Sequence, residues 1–170
     1  FEKTYTQNKN GCGQAIYIGQ TFSNDNFIKH CKFTDCCNEF EEKYVIYFDV
    51  NYVEFSNNIV TFSDSTKKRG CVYSNRVYEH TYKNNIFCNA RADGDFAAGI
   101  HERSSVTTSV FTLINNTFDN ILGSSFGRCF MIDLMKTYGH NIKNNTIKNC
   151  PSGGALFQIR FLKVDEESFT

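Results

Sequence analysis

Asp49, Arg103 and Asp133 are the residues whose types and spacing come closest to those of a catalytic group. They recur at one position of a repeated pattern, two residues beyond a column of large apolar residues. Carboxylates on one face of a sheet can bind calcium or serve as general acid and base. In this column, however, Arg103 is expected directly beside Asp133, and a guanidinium keeps a neighbouring carboxylate ionised. The pattern therefore favours a solvated charged row over a proton donor.

A second candidate, for a metal site, is the DxD motif formed by Asp93 and Asp95, which could bind a calcium ion. A complete calcium loop needs five or six oxygens at defined spacing, and the next carboxylate is only at Glu102. The segment is better interpreted as a turn. The eight cysteines include no CxxC pair, which argues against zinc. We expect no metal and no cofactor.

Two sequons, Asn115-Asn116-Thr117 and Asn144-Asn145-Thr146, make Asn115 and Asn144 candidates for N-glycosylation. Both asparagines belong to a repeated pair, in which a stacked and buried amide would resist modification. We interpret them first as turn residues.

These candidates are arranged by a repeat. Asparagine pairs precede short apolar segments at 27- to 31-residue intervals. The pairs are Asn57-Asn58, Asn84-Asn85, Asn115-Asn116 and Asn144-Asn145, with a degenerate copy at His30-Cys31. The residue two positions beyond each pair is apolar in every copy: Phe33, Val60, Phe87, Phe118 and Ile147.

A second series is displaced by about half a period. Its opening residues are Ala15, Val45, Cys71, Gly99, Cys129 and Ala155, and two apolar columns follow them. The first column contains Ile16, Ile46, Val72, Ile100, Phe130 and Leu156, and the second contains Tyr17, Tyr47, Tyr73, His101, Met131 and Phe157. Strict alternation would place one column outside, and the sequence does not decide which.

Short apolar segments separated by Gly, Asn, Asp and Ser indicate strands joined by turns. Strands that recur with the same inward residue stack on their own copies about 4.8 Å apart. The runs are too short for a helical repeat. We therefore predict an all-β, right-handed parallel β-helix of about six coils, forming a single domain over 1–170. The charged segment 163–170 is either a polar cap or a tail, and the chain is either whole or a fragment of a longer solenoid.

The stacked copies predict two ladders. Asn58, Asn85, Asn116 and Asn145 would form an asparagine ladder, because an amide can bond the copies above and below it. Cys71 and Cys129 share the small-residue column two coils apart, which separates their Cα atoms by about 9–10 Å. That distance is too long for a disulfide, so we predict core thiols. Cys36 and Cys150, four coils apart, are also predicted not to pair.

Gly13-Gln14-Ala15-Ile16, Gly153-Gly154-Ala155-Leu156 and Phe55-Ser56-Asn57-Asn58 resemble the GGA[ILV] and FxxN tetrapeptides of the polymorphic membrane proteins of chlamydiae. Phe33-Thr34-Asp35-Cys36 and Ile147-Lys148-Asn149-Cys150 are similar to repeats of some protist surface proteins. The resemblance implies a secreted or surface-displayed, adhesin-like β-helix, with no catalytic residues to carry over.

The composition of the chain argues against two classes of function, nucleic-acid binding and membrane spanning. Lys plus Arg and Asp plus Glu number 18 each, which gives no electrostatic reason to expect a nucleic acid. No stretch of 18 apolar residues is present, so no membrane span is expected in this chain.

The favoured interpretation is a non-catalytic extracellular or cell-surface module that binds a carbohydrate or protein ligand, or serves as an extended scaffold. The first alternative is a lyase or hydrolase of acidic polysaccharide, since pectate lyases and polygalacturonases resemble the predicted architecture. The second is a filament protein assembled by end-to-end strand pairing.

Overall fold

A computed structural model describes residues 15–19, 26–36, 43–76, 78–92, 97–103, 110–123, 129–134, 139–151 and 155–161. These residues form a parallel β-solenoid, which confirms the predicted fold class. None of the described residues belongs to a helix long and apolar enough to cross a membrane. The predicted polar segment 163–170 lies outside the described residues.

The strands lie in three sheets, and the chain passes through sheets 1, 2 and 3 in turn. Sheet 1 contains β1 (Ile16–Ile18), β4 (Lys43–Asp49), β7 (Arg69–Arg76), β11 (Ile100–Arg103), β15 (Phe130–Leu134) and β18 (Phe157–Phe161), with β10 (Arg91–Ala92) and β14 (Leu122–Gly123) attached to it. Sheet 2 contains β2 (Phe27–Lys29), β5 (Tyr52–Ser56), β8 (Glu79–Lys83), β12 (Val110–Ile114) and β16 (Asn141–Lys143). Sheet 3 contains β3 (Lys32–Thr34), β6 (Ile59–Thr61), β9 (Ile86–Cys88), β13 (Thr117–Asp119) and β17 (Thr146–Lys148).

Each strand pairs with the copy one coil away, so the sequence repeat is also the strand register. In sheet 3 the paired residues run Phe33, Val60, Phe87, Phe118 and Ile147, as predicted. The solenoid has about four turns, fewer than the six coils predicted. Sheets 2 and 3 each contain five strands, and only the main path of sheet 1 reaches six.

At the corner between sheets 2 and 3, the two residues of each pair have different roles. The first residue has a left-handed backbone, with φ of 56° or 57° at His30, Asn57, Asn84, Asn115 and Asn144. Asparagine tolerates this region better than most residues, which explains its recurrence there. The second residue is buried in the central coils and forms the ladder.

The ladder consists of two hydrogen bonds repeated at every coil. The backbone N–H of Asn58 donates to Oδ1 of Asn85 at 2.9 Å, and the backbone N–H of Asn85 donates to Oδ1 of Asn116 at 3.0 Å. In return, the amide of Asn85 donates to the carbonyl of Phe55 at 2.7 Å, and that of Asn145 donates to the carbonyl of Leu113 at 2.8 Å. The predicted asparagine ladder is therefore confirmed.

Burial in the core shows which of the two apolar columns of sheet 1 faces inward. The first column faces inward, since Ile46, Val72, Ile100 and Phe130 are buried. The second begins outside, where Tyr17 is 59% exposed. The rings of Tyr17 and Tyr47 stack at 5.2 Å and those of Tyr47 and Tyr73 at 5.4 Å. Further along the same column, His101 and Met131 are buried.

The last coil is displaced by one residue from the predicted alignment. Phe130 pairs with Phe157 rather than with Leu156, and Asp133 pairs with Arg160 rather than with Ile159. The Phe157 ring lies 5.8 Å from those of Phe130 and Phe118. Packing an aromatic ring at this position, which Leu156 could not do, accounts for the difference in register.

We predict that Asn85→Ala lowers the free energy of unfolding by about 2–5 kcal/mol, because it leaves two buried backbone groups without partners. Urea denaturation monitored by circular dichroism would measure the change. The matched control is Asn84→Gly, at the exposed member of the same pair. Glycine adopts positive φ readily, so this variant should change stability by less than about 0.5 kcal/mol. Equal losses in both variants would contradict the division of roles.

Candidate functional site

The charged row on sheet 1 differs from its predicted alignment. A bulge between Phe48 and Asp49 places Arg76, rather than Asn75, opposite Asp49. Arg103 pairs with Asp133 as predicted, and Asp133 in turn pairs with Arg160. Each carboxylate of this row therefore has a basic residue at the next register position, and no two carboxylates are neighbours.

The metal candidates Asp93 and Asp95 lie outside the described residues. Within the part of the chain that the structure describes, no three His, Cys, Asp or Glu side chains converge as metal ligands would. The sequon residues Asn115 and Asn144 are both exposed, contrary to the buried amide that the repeat suggested. The buried members of those pairs are Asn116 and Asn145, of which Asn145 is only partly buried.

An open groove of about 400 Å³ lies on the outer face of sheet 2, among β2, β5 and β8. The register places Phe27 beside Glu54 and Glu54 beside Thr81, while Tyr52 lies beside Glu79. These side chains point outward because the alternate residue of β5, Val53, is buried in the core. The volume is within the range of small-ligand sites, although this groove is wide open.

One wall of the groove combines an aromatic ring with a charge pair. Phe27 is 59% exposed, and Nζ of Lys29 lies 4.6 Å from its ring centroid. The same ammonium is 2.8 Å from Oε2 of Glu54. The hydrogen bond from Lys29 lowers the pKa of Glu54, and a 2.9 Å bond from the Ser56 hydroxyl acts in the same direction. Glu54 is therefore an ionised acceptor at neutral pH.

The other wall contains Tyr52, whose ring centroid lies 5.1 Å from that of Tyr78. Partial desolvation raises the pKa of Tyr52, and Tyr78 and Glu79 act in the same direction. The phenol is thus a hydrogen-bond donor at neutral pH. The rim residue Asn26 donates from its amide to the carbonyl of Tyr52 at 2.9 Å, which ties β5 to the loop before β2. The groove can accept and donate hydrogen bonds beside an exposed ring.

Sequence analysis missed this groove because its residues lie in the outward columns of sheet 2, which follow no repeated pattern. Phe27, Glu54 and Thr81 share a column but no chemical type. The available signal was Phe27, an aromatic residue at an outward position of its strand. Its neighbours on that face are Lys29 of the same strand and Glu54 of the next.

A polar cluster inside the solenoid was also missed. His80 of β8 and Glu102 of β11 are both fully buried, with Nδ1 of His80 3.1 Å from Oε2 of Glu102. Nε2 of His80 is 2.9 Å from the carbonyl of Val50, which can only accept, so Nε2 carries a proton. The hydroxyl of Tyr82 donates to Oε1 of Glu102, and the Ser74 hydroxyl lies 3.4 Å from Nδ1 of His80.

The cluster is closed to substrate, so its role is structural. Burial raises the pKa of Tyr82 well above the ordinary value, and the charge of Glu102 adds to the effect. The phenol therefore stays protonated as a donor. The register partners of His80 in sheet 2 are Val53 and Phe111, and its polar partner Glu102 lies in sheet 1, so the repeat does not bring the two together. Inward alternation from Ile100 to Glu102 was the signal that could have revealed it.

No protein-family model, no curated protein and no solved structure matches this chain. These comparisons therefore give no support to the resemblance to chlamydial or protist surface proteins. The parallel β-solenoid architecture itself rests on the strand register described above.

We predict that Glu102→Leu lowers the free energy of unfolding by about 3–5 kcal/mol, because it leaves buried polar partners uncompensated. The double variant His80→Leu/Glu102→Leu should lose less than the sum of its single variants, since it removes both members of the pair. Chemical denaturation of all three proteins measures this coupling. As a control, Glu79→Leu at the exposed edge of the groove should change stability by less than about 0.5 kcal/mol. Additive losses at His80 and Glu102 would contradict the pairing.

Proposed function

We propose that this chain is a non-catalytic, secreted or cell-surface β-helix module that binds a carbohydrate ligand in the groove on sheet 2. The observation that carries the proposal is the exposed ring of Phe27 beside ionised Glu54 and the phenol of Tyr52. Sugar rings present C–H faces that pack on aromatic rings, and hydroxyls that hydrogen-bond to carboxylates and phenols.

The charge of the groove favours a neutral glycan. Glu54 and Glu79 both line it, and the nearby ammonium of Lys29 is already engaged by Glu54. A polyanionic chain would meet carboxylates that have no free counter-charge within the groove. Neutral sugar hydroxyls can donate to the same carboxylates without that repulsion. We therefore expect neutral oligosaccharides to bind more tightly than acidic ones.

The scaffold suits recognition. The groove residues lie on three hydrogen-bonded strands of a stacked sheet, so little backbone order needs to be gained on binding. A linear glycan can lie along the flat face of such a sheet. A binding site formed by loops offers a long flat surface less readily. The surface location is supported by the resemblance of the GGA-type and FxxN-type tetrapeptides to surface-displayed repeats.

The charge pattern disfavours the enzymatic alternative, a polysaccharide lyase or hydrolase. A glycosidase needs one carboxylic acid with a raised pKa to protonate the leaving group. Lys29 instead lowers the pKa of Glu54. In the charged row of sheet 1, Arg103 and Arg160 are the register neighbours of Asp133, an arrangement suited to ion pairs.

We predict that Phe27→Ala weakens oligosaccharide binding by about 10- to 100-fold, from the loss of an aromatic contact that the bound sugar would cover. A glycan array containing neutral and acidic oligosaccharides would first select the neutral probe, and titration calorimetry would then give Kd for each variant. The matched control is Ile86→Ala, since Ile86 is similarly apolar and exposed, at 39%, but lies on sheet 3.

The proposal fails if no glycan binds, or if Phe27→Ala and Ile86→Ala bind equally well. Chromatography of the incubated oligosaccharides provides the second readout. Release of shorter or unsaturated products would favour the lyase or hydrolase alternative, and loss of turnover in Asp133→Ala would then locate the catalysis in the charged row.

A further inference from the structure

Two cysteines meet in the last described coil. Cys129 immediately precedes β15 in sheet 1, and Cys150 follows β17 in sheet 3 by two residues. Their Sγ atoms are 3.8 Å apart, and both residues are present as thiols. We propose that Cys129, which the repeat predicted to be a core thiol, instead forms a disulfide with Cys150 that closes this coil. The inference is independent of what the groove binds.

The register shows that this pair is peculiar to one coil. Cys71 is equivalent to Cys129, because the residues that follow them, Val72 and Phe130, occupy one column. Ala90 is equivalent to Cys150, because each stands four residues after aligned positions of sheet 3. In the coil of Cys71 the position that faces it is thus alanine. The cysteines do not simply fill a small-residue column, since the last coil has a thiol on both sides.

The polar contacts of the Cys150 sulfur are weak, so its side chain can rotate toward Cys129. It lies 3.4 Å from the backbone N of Ile121 and 3.4 Å from the carbonyl of Lys148. Bridged sulfurs stand about 2.05 Å apart, so closure needs a rotation of one or both side chains. Cys150 is half-buried and Cys129 is fully buried. Reaction with an oxidant therefore begins at Cys150, the more accessible of the two thiols.

The chemistry balances with a small-molecule disulfide, such as oxidised glutathione, as the oxidant. The Cys150 thiolate attacks one sulfur and expels one glutathione thiolate, which leaves a mixed disulfide. The Cys129 thiolate then attacks the Cys150 sulfur and expels the second glutathione. Two protein thiols lose two protons and two electrons, and one glutathione disulfide becomes two thiols.

A covalent link has most to contribute in this coil. The side chains of Asn141, Ile142 and Lys143 are all exposed. In the equivalent strands of inner coils, buried residues alternate with exposed or half-buried ones. Less burial means less hydrophobic stabilisation of the coil. A bridge between sheets 1 and 3 would hold it closed by restricting the unfolded chain.

Peptide mapping tests the proposal on the wild-type chain. The purified protein is equilibrated with a mixture of reduced and oxidised glutathione near pH 8, alkylated and digested with trypsin. Peptides 129–136 and 149–160 each contain one cysteine. We expect mass spectrometry to find these two peptides linked, and peptide 70–76, which contains Cys71, alkylated. Alkylation of both Cys129 and Cys150, or a link from either to another cysteine, would overturn the proposal.

Two variants sharpen the result. Ala90→Cys recreates the equivalent thiol pair opposite Cys71, and we expect peptide 70–76 to become linked to peptide 84–91 through position 90. Reduction should lower Tm of the wild-type protein by about 5–10 °C and leave Tm of Cys150→Ser unchanged. Equal shifts in wild type and Cys150→Ser would overturn the proposal, because Cys150 would then have no part in the stabilising bridge.

Discussion

Backbone groups at the corner between sheets 2 and 3 must find partners inside a tube from which water is excluded, and the rest of the solenoid depends on how they do so. A turning chain cannot continue the strand ladder, so its N–H and C=O groups would be buried without hydrogen bonds. The asparagine side chain supplies one acceptor and one donor to the preceding coil. Asn85 joins Asn58 N–H and Phe55 C=O in this way, and the same pair of bonds recurs one coil later.

This constraint explains why the fold was readable from sequence while the sites were not. A requirement that returns at every coil leaves the same residue at every period, so the asparagine pairs predicted the strands and their stacking. Requirements met once leave no such trace. The bulge before Asp49, the one-residue displacement at Phe157 and the contact of His80 with Glu102 are each found once among the described residues. They depend on side-chain packing across the tube, which periodicity does not report.

The interior also shows how a regular core tolerates an irregular element. Glu102 stands at an inward position, where its register partner in the preceding coil is Ser74, a much smaller residue. The space is shared with His80, whose Nδ1 lies 3.1 Å from Oε2 of Glu102, and with Tyr82, whose hydroxyl donates to Oε1. Three titratable side chains, Glu102, His80 and Tyr82, are thus buried within hydrogen-bond distance of one another or of the backbone. Replacing both members of such a pair by well-packed apolar residues is often neutral or stabilising, whereas removing one member alone is strongly destabilising.

The outward columns are where function can vary without cost to the fold. Inward positions are held by the ladder and by the stacked core, so a change there affects all three sheets. Outward positions of sheet 2 carry Phe, Glu, Thr and Tyr at neighbouring places without disturbing a single ladder bond. A solenoid of this kind presents side chains at a spacing fixed by the strands, about 4.8 Å between coils. Recognition in this protein is therefore expected to depend on which residues occupy a rigid grid, and a change of ligand would require only a change of outward side chains.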